Sequence, residues 1–188
     1  MTTLTQALRH PMLAQLAGEL DRIEPRTRVA VTGLPESKLH EVPPDGGWSV
    51  AQVFEHLCIA NATYLDGPLP RTVEAAVRRG PWSGEWRPSL LGGWLTRMLT
   101  EGSRPVPTPR AHRVRGEVRA NVVDEFLGGV RRIAGLMQRA DGHDLRVSLS
   151  SPVSPLIRMN LGDAFRVLVV HAHRHLGQVE RTRRAVGM

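Results

Sequence analysis

The chain has 188 residues, 41% hydrophobic and 23% charged, a balance that permits one substantial core and excludes a wholly disordered or collagen-like chain. The formal charge of +7 comes from 25 basic residues, of which Lys38 is the only lysine, scattered from Arg9 to Arg184. With aromatics at 4% and no dense basic run before Arg181, Arg183 and Arg184, this excess describes solvated surface, and no nucleic-acid partner is expected.

Helical periodicity dominates, and strand-like alternation is nearly absent. The first stretch, Thr3 to Glu24, carries Leu4, Leu8, Met12, Leu16, Leu20 and Ile23 at helical intervals. Arg9, His10, Gln15 and Glu19 interrupt it, so it offers no secretory h-region and a cytoplasmic location is expected. Pro25 is expected to kink or end this helix, with a short second helix to about Leu34. Leu34 to Gly47, with three prolines and two adjacent glycines, reads as a loop.

Ser49 and Gln52 form a capping box that opens a helix from Val50 to Tyr64 or beyond. Its stripe Val53, His56, Ala60, Thr63 faces inward, and Glu55 points elsewhere. Cys58 is the only cysteine, which excludes an internal disulfide and a cysteine-rich zinc site. It sits about 200° around the helix from His56 and reads as a small core residue, not a nucleophile.

Gly80 to Gly116 reads as a long crossover with one helix near Leu90 to Glu101; its Trp82, Trp86 and Trp94 either wall a pocket mouth or fill a secondary core. Glu117 to Arg139 is helical again, with Val118, Val122, Phe126, Val130, Ile133 and Met137 on one face, and Ala140-Asp141-Gly142 stops it. Leu145 to Met159 reads as an irregular connection. Asn160, with Asp163 in the first turn, caps a last helix from Leu161 to about Arg184. Apolar runs such as Val167 to Val170 fall far short of the roughly 20 residues of a membrane span, so no membrane partner is expected. Four main amphipathic helices with long joins predict an all-α four-helix bundle with at least one crossover connection, a single domain over residues 1–188.

Of the eight histidines, two fall on the inward stripe of the last helix, Leu161, Ala164, Leu168, His171, His175, Gln178, Thr182. Four residues apart, His171 and His175 stand one turn apart on one face, near enough to meet a single ion. His173 stands on the opposite side. A third ligand has to come from another helix, and His56 is the candidate; the alternative for His56 is a neutral core histidine hydrogen-bonded to a neighbour. His10, His40, His112 and His143 fall in expected termini or loops and are read as solvent-exposed.

The segment Trp48-Ser-Val-Ala-Gln-Val-Phe-Glu-His56-Leu, with Asn160-Leu-Gly-Asp-Ala-Phe and His171-Ala-His-Arg-His175-Leu-Gly-Gln178, resembles the DinB-like superfamily, which includes the bacillithiol and mycothiol S-transferase branches. The resemblance implies a four-helix bundle that holds a divalent metal through three histidines, and that pattern falls on His56, His171 and His175. Imidazole suits zinc, nickel and iron alike. Three such ligands leave open positions, as in a catalytic site. Gln178 either orients a ligand or bound water or caps the polar end of the bundle. The resemblance implies a metal-dependent enzyme acting on a small molecule, transferring a low-molecular-weight thiol to an electrophile or hydrolysing its substrate. With no convincing carboxylate base in the sequence, hydrolysis stands behind transfer. The competing class is a non-catalytic bundle, metal-stabilised or metal-free, and in either case a homodimer through an apolar helix face is expected.

Overall fold

The computed structural model describes residues 8–100 and 107–187, and its first helix, α1 (Pro11–Val31), continues past Pro25 instead of ending there. Proline forgoes one rung of backbone hydrogen bonding there. The helix persists because Ile23, Thr27 and Ala30 continue the buried face begun by Leu13, Leu16 and Leu20. Arg26, the residue after the proline, also makes a bidentate pair with Glu180 of the last helix at 2.7 and 3.1 Å. The expected break at Pro25 is thus overridden by tertiary contacts on both sides of it. The expected start at Thr3 lies outside the described residues. Leu8 to His10 are not helical, and the helix opens on Pro11, where a missing amide costs nothing.

The loop expected over Leu34 to Gly47 contains a short helix, α2 (Glu36–His40). Ser49 then accepts from the Gln52 amide at 3.2 Å and the Gln52 side chain accepts from the Ser49 amide at 3.0 Å, starting α3 (Val50–Leu65). A turn at Asp66 and Gly67 follows; a Cβ at Gly67 would strike the Thr63 carbonyl. Pro68 then opens α4 (Pro68–Arg78), a helix the sequence reading did not separate from its predecessor.

The crossover carries α5 (Leu90–Leu99), close to the expected helix, and a single 3-10 turn at Arg110–His112. Helix α6 (Val122–Ala140) starts five residues later than its periodicity suggests. Arg119 explains the late start: it is drawn to Glu55 of α3 at 2.8 and 2.9 Å, and to Glu125, instead of continuing a helix. The largest correction is the irregular connection, which is an antiparallel hairpin of β1 (Ser148–Ser151) and β2 (Ser154–Asn160), with Leu149 opposite Met159 on its buried side. The last helix, α7 (Leu161–Ala185), begins with a complete capping box between Asn160 and Asp163.

The protein is mostly helical. Its four long helices close a ring of neighbours in which α1 packs on α6 and α7, and α3 packs on the same two. The joins from α1 to α3 and from α6 to α7 therefore cross the bundle, a four-helix arrangement with crossover connections. The hairpin packs against both α4 and α5, and α5 lies along α7. Among the described residues, no helix is long and apolar enough to cross a membrane.

Candidate metal centre

Helices α3 and α7 are neighbours, and their facing stripes bring His56, His171 and His175 together, with one ring nitrogen of each within 4.8 Å of the others. The ring centroids lie 4.5 to 5.0 Å apart in edge-on arrangements. His173, on the other side of α7, turns to α1, where its Nε2 meets the Glu19 carbonyl at 3.2 Å.

The outer nitrogens of two of these rings are already committed. His56 Nδ1 donates to the His112 carbonyl at 2.8 Å, and His175 Nδ1 donates to Gln178 Oε1 at 2.8 Å. In a neutral imidazole that leaves Nε2 as the lone-pair nitrogen. His56 Nε2 stands 3.1 Å from His171 Nε2. Two imidazole nitrogens sharing one tetrahedral ion stand about 3.3 Å apart at ordinary metal–nitrogen lengths. The donor set therefore fits a divalent metal, and the three histidines form a group that could hold one.

Burial, reinforced by the other histidines, lowers the His171 pKa well below its ordinary value, and burial chiefly brings His175 down to about 3. His56 is lowered by burial as well. All three rings are thus neutral at neutral pH, the state in which imidazole binds metal.

His112 was expected to be solvent-exposed and is buried. Burial chiefly, with His56 beside it, lowers its pKa to about 4. The 3-10 turn folds it back over α3, its carbonyl holding His56 while its ring Nε2 lies 3.1 Å from Thr63 Oγ1. Thr63 donates to the Ala60 carbonyl at 2.7 Å, so its oxygen accepts from His112 Nε2. Neither spacing nor periodicity could have flagged a residue that acts through its backbone oxygen. His143 and His10 are half-buried, and His40 is exposed. Trp48, which immediately precedes the α3 cap, packs its ring 5.0 Å from that of His56.

The cluster lies at a cavity of about 720 Å³. Of the three crossover tryptophans only Trp94 lines it. Trp82 and Trp86 line a separate cavity, and Trp86 Nε1 donates to Asn160 Oδ1 at 2.9 Å. Asp45 is the one acid on the lining among the described residues, and its Oδ1 accepts from the Gly47 amide at 3.1 Å. Cys58 is buried away from the cavity, its thiol donating to the Val122 carbonyl at 3.4 Å, and burial pushes its pKa up to about 12.

A family model described as the DinB superfamily matches residues 19–179, a span that contains all three histidines and Gln178. No curated protein and no solved structure matches the chain.

Proposed function

The chain belongs to the DinB superfamily, and from that premise we propose that it is a metal-dependent enzyme in which His56, His171 and His175 hold a divalent ion and a low-molecular-weight thiol is transferred to an electrophilic small molecule. One observation carries the reading: three neutral imidazoles converge beside an open cavity, two of them already aimed by their outer nitrogens. A purely structural zinc site is usually closed by four protein ligands. Here three histidines converge and one side faces the cavity.

A divalent ion bound there supplies Lewis acidity that lowers the pKa of a thiol or water brought to it. The chain's own residues hold and aim. Gln178 fixes the ring of His175, the His112 carbonyl fixes that of His56, and Trp48 covers the His56 face. Trp94, Leu95 and Met98 give the cavity an apolar wall that displaces water from a bound substrate. Transfer is favoured over hydrolysis because, among the described residues, the one lining acid, Asp45, is engaged with its own loop and is not poised to take a proton from water. With Cys58 buried and protonated, a sulfur nucleophile has to arrive with the substrate.

Untagged protein is expected to carry about one divalent ion per chain by elemental analysis, and His171→Ala to lose it; full retention of metal in that variant removes the ligand assignment. The reaction class is tested by consumption of monochlorobimane with a panel of thiols. Turnover that survives exhaustive chelation counts against a metal-dependent transferase.

A further inference from the structure

The cavity beside the histidines differs at its two ends. Along the first half of α7, Trp94, Leu95 and Met98 of α5 and Ile157 of β2 make an apolar wall. Along the second half the lining is polar, with Gln178, Arg181 and Thr182 opposite the 43–48 segment, where Thr182 Oγ1 donates to the Trp48 carbonyl at 3.4 Å. Arg174, between the two ends, donates to the Thr100 carbonyl at 3.1 Å. Arg181 is exposed and makes no hydrogen bond or ion pair among the described residues, although it stands close enough to His175 to act on its charge. At the helical rise per residue it lies about 9 Å beyond His175 and about 20 Å beyond Leu168 along α7.

We propose that this cavity is built for an amphiphilic organic anion, its acidic head at Arg181 and its apolar body against Trp94, Leu95 and Met98. The placement of the bond-changing atom over the histidines rests on the metal-centre reading above; the two-ended selectivity does not. Glu180 beside Arg181 is paired with Arg26, and a guanidinium with no hydrogen-bonded partner among the described residues offers a carboxylate or sulfonate a bidentate, charge-assisted pair. Among the described residues, two arginines and a single acid on the lining disfavour a cationic ligand. The apolar end favours an aromatic or alkyl body over a small hydrophilic one such as a bare dicarboxylate. About 720 Å³ is room for a ligand of that build.

The test uses anilinonaphthalenesulfonate, an apolar dye with one anionic group, and phenylnaphthylamine, its uncharged analogue. Each is titrated into chelator-treated full-length protein and followed by dye emission. The anionic dye is expected to bind saturably with about one site per chain; Arg181→Gln weakens it about tenfold and moves the uncharged dye less than about twofold. Arg181→Lys is expected to restore part of the loss, and Arg71→Gln, on the exposed side of α4, to change neither dye. An equal effect of Arg181→Gln on both dyes, no effect on either, or an equal loss in Arg71→Gln overturns the proposal. Metal content of each preparation is read by elemental analysis before chelation, so a protein purified without metal but with this dye selectivity overturns only the metal reading.

Discussion

Gln178 and His112 decide which nitrogen His175 and His56 turn toward the cluster, one through a side-chain amide and the other through a backbone carbonyl. Partners of this kind fix the tautomer and orientation of a ligating ring, and their loss typically costs 10–100-fold in metal affinity. Gln178→Ala is therefore expected to weaken metal binding by about tenfold or more, measured by competition with a calibrated chelator, with helical content unchanged by circular dichroism. Unchanged affinity would leave Gln178 as a polar cap of the bundle. The convergence of His171 and His175 was legible from their four-residue spacing on an inward stripe, and that of His56 from its place on the stripe of a capped helix. His112 was not, since its burial depends on a chain return that no local pattern encodes. Cys58 shows a different consequence of burial. Its thiol, pushed up to about 12, stays protonated, and labelling by a disulfide reagent at pH 8 is expected to be about two or more orders of magnitude slower in the native protein than in urea. The folded value stands above the roughly 8.5 of an unfolded chain, so the stability this proton contributes is present below about pH 8.5 and is lost as pH rises toward the folded value. Comparable labelling rates in the two states would contradict the burial.

Two capping boxes mark the helices that carry the histidines; the one at Ser49 and Gln52 was readable as a box, and the one at Asn160 only as a cap with Asp163 in the first turn. The second does more than begin a helix. Asn160 Oδ1 accepts from both the Asp163 amide and Trp86 Nε1, its Nδ2 donates to the Arg87 carbonyl at 3.0 Å, and Asp163 Oδ2 accepts from the Ser89 amide at 3.0 Å. The start of α7 thereby anchors the chain entering α5, the helix that supplies the cavity's apolar wall. A Cβ at Gly92 would strike the Asp163 carboxylate, which accounts for glycine at that contact. Asn160→Ala removes the cap and orphans the indole N–H, and is expected to cost about 2 kcal/mol in urea unfolding. A loss below about 0.5 kcal/mol would mean that the segment is held elsewhere. Elements set by contacts distant in sequence were the ones misread. Pro25 stays helical because Arg26 and the buried face around it outweigh a local penalty, and the hairpin went unseen because its serines, prolines and Arg158 conceal the alternation that Leu149 and Met159 provide.

The closed ring of α1, α6, α3 and α7 leaves the histidine cluster spanning only the α3–α7 side, so an ion held there would tie together two helices that are far apart in sequence. Arginines stitch other faces of the same ring: Arg26 joins α1 to α7, Arg131 reaches Glu24 of α1, and Arg119 holds Glu55 of α3. These pairs are mostly part-exposed and each contributes little, whereas a ligand bound to the folded state alone stabilises it by mass action. At a free concentration a hundred times its dissociation constant, one ion adds about 2.7 kcal/mol. For a chain of this length that raises the melting temperature by roughly 5–10 °C. Metal-loaded protein is accordingly expected to melt several degrees above the chelator-treated protein by differential scanning calorimetry, with the gap closing in His175→Ala, whose apo form keeps the α3–α7 packing and loses only a donor. A melting temperature indifferent to metal in the wild type, at metal concentrations well above micromolar, would show that the cluster is a set of neutral core imidazoles and not a metal centre.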